Sequence, residues 1–179
     1  MEGRPAVDGG KVFVQDADQL LALDASSGAR IWSRRVRINP APPPNVLLAR
    51  NGRVYVSEVD SVLAVDEQTG HTIWNYRPGN PAAMVTPALD AATLYTGELG
   101  APYVDAISLA DGSQRWRVNL GPGWPFWSAI GGLAVSGDTV YATGVRFQAQ
   151  NGYVTECCTD STWPPSAPRA SPGSARRTS

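Results

Sequence analysis

The chain has 179 residues, 42% of them hydrophobic, which is enough for one domain with a sizeable core and too few for two large ones. Its 15 Lys and Arg against 16 Asp and Glu give a net charge of −1, and no dense basic run appears, which argues against nucleic acid or anionic lipid as a partner. The segment Met1-Glu2-Gly3-Arg4-Pro5 lacks the basic start and apolar core of a secretory signal, and no stretch is long enough to cross a bilayer, so the expectation is a soluble chain with no membrane partner.

In chain order, the first strand signals are Pro5-Ala6-Val7 and Lys11-Val12-Phe13-Val14, separated by the turn pair Gly9-Gly10. A third run, ending in Ala22-Leu23-Asp24, leads through Ser26-Ser27-Gly28 into a fourth around Trp32. These four runs predict an antiparallel meander, with strands A to D. The same order returns as Val46-Leu47-Leu48-Ala49, Arg53-Val54-Tyr55-Val56 after Asn51-Gly52, Ala64-Val65-Asp66, and a run around Trp74. It returns again as Pro87-Ala88-Leu89, Thr93-Leu94-Tyr95-Thr96, Ala106-Ile107-Ser108, and a run around Trp116. A fourth copy opens with Gly132-Leu133-Ala134-Val135 and Thr139-Val140-Tyr141-Ala142 after Gly137-Asp138, then reaches Asn151-Gly152-Tyr153-Val154.

From Trp32 to Trp74 and from Trp74 to Trp116 the step is 42 residues each time, and Ala22/Ala64/Ala106 and Gly28/Gly70/Gly112 keep the same step. A unit of about 40 to 45 residues holding four strands is the signature of a propeller blade. A plain β-sandwich also has closely spaced strands, but nothing in it requires Gly-x-x-x-Trp to repeat in register. The expected fold is therefore all-β: a β-propeller of four-stranded antiparallel blades, as an incomplete arc of three blades and part of a fourth. The boundaries expected are blades at about 3–36, 45–77, 84–118 and 129–155, followed by a tail over 156–179.

At these residues the chain resembles the quinoprotein-like, or pyrroloquinoline quinone (PQQ) repeat, propellers, whose blades carry Ala-x-Asp-x-x-Thr-Gly-x-x-x-Trp. The first copy has Ser27 for Thr, the second has Thr69, and the third replaces Asp with Ser108 and Thr with Asp111. The resemblance covers about residues 3–155 and implies that each Trp packs between blades against the Ala and Gly of the adjacent repeat. Ala22, Gly28, Trp32, Ala64, Gly70, Trp74, Ala106, Gly112 and Trp116 are thus the expected interblade set. An indole buries a large apolar area and its N–H needs one partner, while Gly admits a flat ring against the backbone, so a packing role follows from chemistry as well.

The family includes PQQ-dependent dehydrogenases, non-enzymatic scaffold subunits of outer-membrane assembly and sensor-like propellers, so the repeat alone does not choose among them. In an up-and-down meander the B–C turns share a face with the D–A crossovers. That face gathers an acid at the end of strand B in three blades, Asp16, Glu58 and Glu98, and the aromatic loop carrying Trp124, Phe126 and Trp127. Together they are the expected site for a protein or small ligand, the competing reading being solvated acids and packed aromatics. A PQQ enzyme needs carboxylate and amide ligands for Ca²⁺, a general base and cationic contacts to the quinone, and no such set can be assembled here. No catalytic residue, metal site or cofactor is expected, PQQ and Ca²⁺ entering only if the chain is a piece of a dehydrogenase.

The adjacent Cys157-Cys158 matches the vicinal cysteines of some quinoprotein alcohol dehydrogenases only as a dipeptide, and the single histidine, His71, reads as a turn residue after Gly70. After Thr155 the repeat grammar stops, and Pro, Ser, Ala and Arg dominate residues 156–179, a composition that predicts disorder and is consistent with an out-of-frame end. An open arc would pair with further blades or with itself through its free edge. The expected function is a non-catalytic propeller module giving a protein or ligand interaction surface, as a fragment of a longer propeller protein; the alternatives are a fragment of a PQQ-dependent alcohol or sugar dehydrogenase and a non-functional remnant of a disrupted gene. Relatives of this family usually act outside the cytoplasm, while this segment fixes no compartment.

Overall fold

The structure, a computed structural model, describes residues 4–37, 47–79, 87–98, 101–119, 128–137, 139–148 and 152–162. Every regular element among them is a β-strand, and the chain divides into two compact units, Met1–Thr86 with Ala110–Ser113, and Pro87–Leu109 with Gln114–Ser179.

In the first unit, β1 (Ala6–Asp8), β2 (Lys11–Asp16), β3 (Gln19–Asp24) and β4 (Arg30–Arg35) form one antiparallel sheet in sequence order. A second sheet repeats the plan with β5 (Leu47–Arg50), β6 (Arg53–Ser57), β7 (Val62–Asp66) and β8 (Thr72–Tyr76). The first hairpin of each sheet closes over two residues. In the second sheet these are Asn51 and Gly52, whose φ values of 53° and 77° match the twist of the flanking strands. Strand pairing lines up one row across each sheet: Ala6, Phe13, Ala22 and Trp32 in the first, Leu48, Tyr55, Ala64 and Trp74 in the second. Phe13, Leu20, Ala22 and Val36 of the first sheet region bury against Leu47, Val54, Val56, Leu63 and Val65 of the second, with Trp32 at the margin.

In the second unit, β9 (Ala88–Leu89), β10 (Thr93–Glu98), β11 (Ala101–Ser108) and β12 (Gln114–Asn119) form a third four-stranded sheet with the row Ala88, Tyr95, Ala106 and Trp116. A three-stranded sheet follows, made of β13 (Ser128–Ser136), β14 (Thr139–Gln148) and β15 (Gly152–Thr162). Tyr95, Ala106 and Val140 form a small core, with Trp116, Leu133 and Val135 packed against it.

Each four-stranded sheet carries a bulge at the same place in its last strand pair. The pairing shifts between Ala22 and Leu23, between Ala64 and Val65, and between Ala106 and Ile107, leaving Ile31, Ile73 and Arg115 without an opposite residue. A bulge bends its strand and re-aims the next side chain, which here is the Trp. Ile31 and Ile73 are 44% and 39% exposed as a result, although both are large and apolar.

The fourth sheet departs from the composition-based expectation. β15 runs to Thr162 in register with β14, pairing Thr139 with Thr162 and Tyr141 with Asp160, so residues 156–162 are strand rather than disordered tail. Ladder hydrogen bonds come from the backbone and tolerate the change of side-chain composition at Thr155. The remainder of the expected tail, 163–179, lies outside the described residues. Asp160 stands in the row position that Ala occupies in the other three sheets. The aromatic of that row, Tyr141, is 42% exposed, whereas Phe13, Tyr55 and Tyr95 are buried and lie 5.8 to 6.0 Å, centroid to centroid, from the Trp of their own sheet.

Candidate functional site

The turn between strands C and D is built by the Asp of the repeat. Asp24 Oδ1 accepts from the backbone N–H groups of Ser26 and Ser27 at 3.0 and 2.8 Å and from their hydroxyls at 2.6 and 2.8 Å. Asp66 Oδ1 does the same with Gln68 N at 3.0 Å, Thr69 N at 2.8 Å and Thr69 Oγ1 at 2.8 Å. A carboxylate that accepts this many hydrogen bonds is stabilised in its charged form. The Ser26 and Ser27 hydroxyls and N–H groups hold Asp24 well below the usual carboxylate range, and Thr69 lowers Asp66 likewise. In the third copy Asp111 supplies the acceptor instead, taking the Ser113 N–H and hydroxyl at 3.1 and 2.8 Å. That is how Ser108 can replace the repeat Asp without losing the turn.

The turn ends on Gly28, Gly70 or Gly112, with φ of 71°, 71° and 75°. In the last two, an indole lies directly on the glycine. A Cβ on Gly70 would stand 2.9 Å from Trp32 Cε3, and one on Gly112 would stand 2.8 Å from Trp74 Cγ. Trp32 also donates its Nε1–H to the Glu67 carbonyl at 2.9 Å, and Arg34 donates to the Gly70 carbonyl at 2.8 Å and to Thr72 Oγ1 at 3.2 Å. The Glu67 carboxylate, buried, meets the buried ammonium of Lys11 at 3.4 Å. Ala22, Ala64 and Ala106 are fully buried beside their tryptophans. Gly28 differs from the other two, because among the described residues nothing lies within 4 Å of a Cβ built on it.

This difference gives a direct test. Gly28→Ala should cost about 1–2 kcal/mol, the strain of a left-handed backbone on an L residue, whereas Gly70→Ala carries the same strain plus displacement of Trp32 and should cost about 1–3 kcal/mol more. Urea midpoints of the two variants check the ordering, and equal losses would remove the packing role assigned to Trp32 on Gly70.

The three strand-B acids do not share one environment. Asp16 is exposed at the end of β2. Glu58 is buried and engaged: Arg37 donates its backbone N–H to Oε1 at 3.0 Å, Ser61 Oγ donates to Oε2 at 3.0 Å, and Arg37 Nε lies 3.5 Å from Oε2. Arg37 also pairs with Asp60. Glu98 has no exposed surface and accepts from Arg117 Nη2 at 2.5 Å, while Arg117 Nε lies 3.8 Å from the equally buried Asp105 and the guanidinium sits 4.2 Å from the Tyr103 ring centroid. Burial raises the Glu98 carboxyl above the usual glutamate range against the pull of Arg117, and the nearby Asp105 charge adds to the rise. Of the three, Asp16 is exposed, while Glu58 and Glu98 are buried against Arg37 and Arg117. Trp124, Phe126 and Trp127 lie outside the described residues.

Among the described residues no three His, Cys, Asp or Glu side chains converge as metal ligands, and Glu98 and Asp105 both lie against Arg117. His71 is an exposed turn residue whose carbonyl accepts the Asp66 N–H at 2.9 Å.

Antiparallel four-stranded meanders with an indole seated on a glycine turn define a β-propeller protein of the PQQ-repeat type. The chain belongs to the family described as the outer membrane protein assembly factor BamB, whose model matches residues 1–145. No curated protein sequence matches it significantly. Among solved structures it is similar to BamB from Moraxella catarrhalis, at 23% identity and a TM-score of 0.61 over 82% of this chain and 46% of that one. It is also similar to the quinohemoprotein alcohol dehydrogenase from Comamonas testosteroni, at 17% identity and a TM-score of 0.65 over 80% of this chain and 29% of that one. A europium-containing methanol dehydrogenase matches at 17% identity and a TM-score of 0.63, over 79% of this chain and 34% of that one. The chain thus spans less than half the length of each, and at these identities the likeness shows the fold alone.

Proposed function

We propose that the chain is a non-catalytic propeller module that gives a protein-interaction surface, in the manner that the assembly-factor description of its family implies. The observation that carries this reading is the use to which the repeat residues are put. Asp24 and Asp66 cap turns, Gly70 and Gly112 seat indoles, and Glu58 and Glu98 meet arginines. In this reading Ala22, Ala64, Ala106, Gly28, Gly70, Gly112, Trp32, Trp74 and Trp116 serve as the interblade set, and recognition falls to loops. The D–A loop with Trp124, Phe126 and Trp127 is the proposed contact surface, since aromatics flanked by prolines in the sequence bury large area at low entropic cost. No resident cofactor is part of the proposal.

The test is binding of the chain to purified outer-membrane protein assembly machinery, the system for which the family is named, by biolayer interferometry. Saturable binding is expected, with the triple change Trp124→Ala, Phe126→Ala and Trp127→Ala weakening it at least about tenfold, the size of an interface hot spot. Equal binding by the triple variant would remove the loop from the reading. Dye-linked alcohol oxidation after addition of PQQ and Ca²⁺ would overturn the non-catalytic assignment itself.

A further inference from the structure

The third sheet departs from the repeat at three linked positions. The 42-residue step that relates Leu21 to Leu63 leads on to Asp105, the step from Ser33 to Asn75 leads to Arg117, and the step from Gln19 to Ser61 leads to Tyr103. A position that is buried leucine in the second sheet thus becomes an acid, and a cation appears to meet it. Asp105 and Arg117 stand opposite each other in the β11–β12 ladder, with Arg117 Nε 3.8 Å from Asp105 Oδ1 and the guanidinium 4.2 Å from the Tyr103 ring centroid.

Glu98, at the end of β10, brings a third charge to the same place. It has no exposed surface, and Arg117 Nη2 donates to its Oε1 at 2.5 Å, while its buried Oε2 has no hydrogen-bond partner among the described residues. Glu58, its counterpart in the second sheet, receives a donor on each oxygen, the Arg37 N–H on Oε1 and Ser61 Oγ on Oε2. Tyr103 stands at the repeat position of Ser61, so the donor that satisfies Glu58 has been exchanged for a ring that supports Arg117.

An ionised Glu98 adds a second buried negative charge beside one guanidinium and leaves an oxygen without a donor, which is costly away from water. A proton on Glu98 leaves the Asp105 carboxylate and the Arg117 guanidinium balanced, and a neutral carboxyl is far cheaper to bury than a charged one. The other strands packed on β10 and β11 do not alter this balance: β9 is Ala-Leu and β13 is Ser-Ala-Ile-Gly-Gly-Leu-Ala-Val-Ser, neither with an ionisable residue. Arg115, the other cation of β12, bonds Thr93 at the far end of β10. The backbone here is also weakly held. The β10–β11 ladder shifts register between Gly97 and Glu98, and past the shift Glu98 opposes Ala101 as the last pair. One pair beyond a bulge opens at little cost compared with the whole sheet.

We propose that Glu98, Asp105 and Arg117 form a proton-operated latch on the Glu98–Ala101 end of the β10–β11 ladder. With its proton, Glu98 stays inside beside Arg117 and the end pair is closed. When the proton passes to a solvent base, the carboxylate turns out to water and the pair opens. Burial, which raises the Glu98 carboxyl, fixes the sign: the closed form is favoured on the acid side and loses that advantage as pH rises through the folded value.

The test is NMR on the full chain labelled with ¹³C and ¹⁵N, through a pH series from the acid to the weakly alkaline side. It follows the carboxyl carbons of Glu98 and Glu58 together with hydrogen-exchange protection at the Glu98 and Ala101 amides. Glu98 should titrate above the ordinary glutamate range. Protection at the two amides, corrected for the intrinsic pH dependence of exchange, should fall severalfold through the same midpoint. The Glu58 amide, which donates to the Ser61 carbonyl, should show no such fall. Glu98→Gln, an uncharged isostere, should hold protection at its acid-side value throughout. Asp105→Asn should lower the Glu98 midpoint by removing the opposing charge, and it serves even where Glu98→Gln fails to fold. A Glu98 midpoint within or below the ordinary range, or one unmoved in Asp105→Asn, would overturn the proton site. Protection that does not follow the Glu98 titration would overturn the latch.

Discussion

Replacing Trp74 by alanine should lower the stability of the protein by about 3–5 kcal/mol, the range for deleting a buried large aromatic. Trp74 is 6% exposed, lies on Gly112 and is 5.8 Å from the Tyr55 ring. Gly112 has no side chain to move into the vacated volume, and Tyr55 is itself held in the sheet row, so the cavity collapses poorly. Urea unfolding followed by far-ultraviolet circular dichroism measures the loss. Trp32→Ala removes a half-buried ring and should cost less in packing, although it also strips the Glu67 carbonyl of its indole donor. A Trp74→Ala midpoint within error of the parent would show that this indole does not anchor the packing around it.

Arg117→Met should be nearly as damaging at neutral pH, at about 3–5 kcal/mol, since removing one partner of a buried ion pair leaves the other charge uncompensated. Glu98 has no exposed surface and accepts from this guanidinium, which also lies near buried Asp105 and against the Tyr103 ring. The pH dependence follows from the raised Glu98 carboxyl. A group whose folded value lies above its unfolded value favours the folded state most strongly below the unfolded value, and that contribution is lost as pH rises through the folded value. The Arg117→Met defect should therefore shrink as pH falls from neutral into the acid side of the Glu98 titration. Glu98→Gln should flatten that dependence and recover part of the loss in the double variant. A defect constant from pH 7 to pH 4.5 would assign Arg117 a packing role only.

How much could be read from the chain differs by feature. The strands and their grouping were legible because the Val-Tyr-Val runs, the Asn51-Gly52 type of turn and the 42-residue step of Trp32, Trp74 and Trp116 all speak for the same meander. The fates of Glu58 and Glu98 were not. An acid at a strand end beside a turn reads as solvated, and its burial depends on Arg37 and Arg117, which lie 21 and 19 residues away. An arginine near the end of each strand D was the available signal, since a buried carboxylate requires a cation and such cations recur there. The continuation of β15 past Thr155 was hidden for another reason. Composition reports what side chains can bury, while the ladder to β14 depends on backbone groups that every non-proline residue carries.

The bulge before each tryptophan separates two jobs that adjacent residues on a strand ordinarily constrain in each other. Ile31, Ile73 and Arg115 have no opposite residue, while the tryptophan one position later keeps its place in the row. The rim of each sheet can therefore change from greasy to cationic, as it does between Ile73 and Arg115, without disturbing the joint behind it. Such an arrangement lets the outer margin be rewritten for new neighbours one residue at a time, while the mechanical coupling of the sheets is inherited intact.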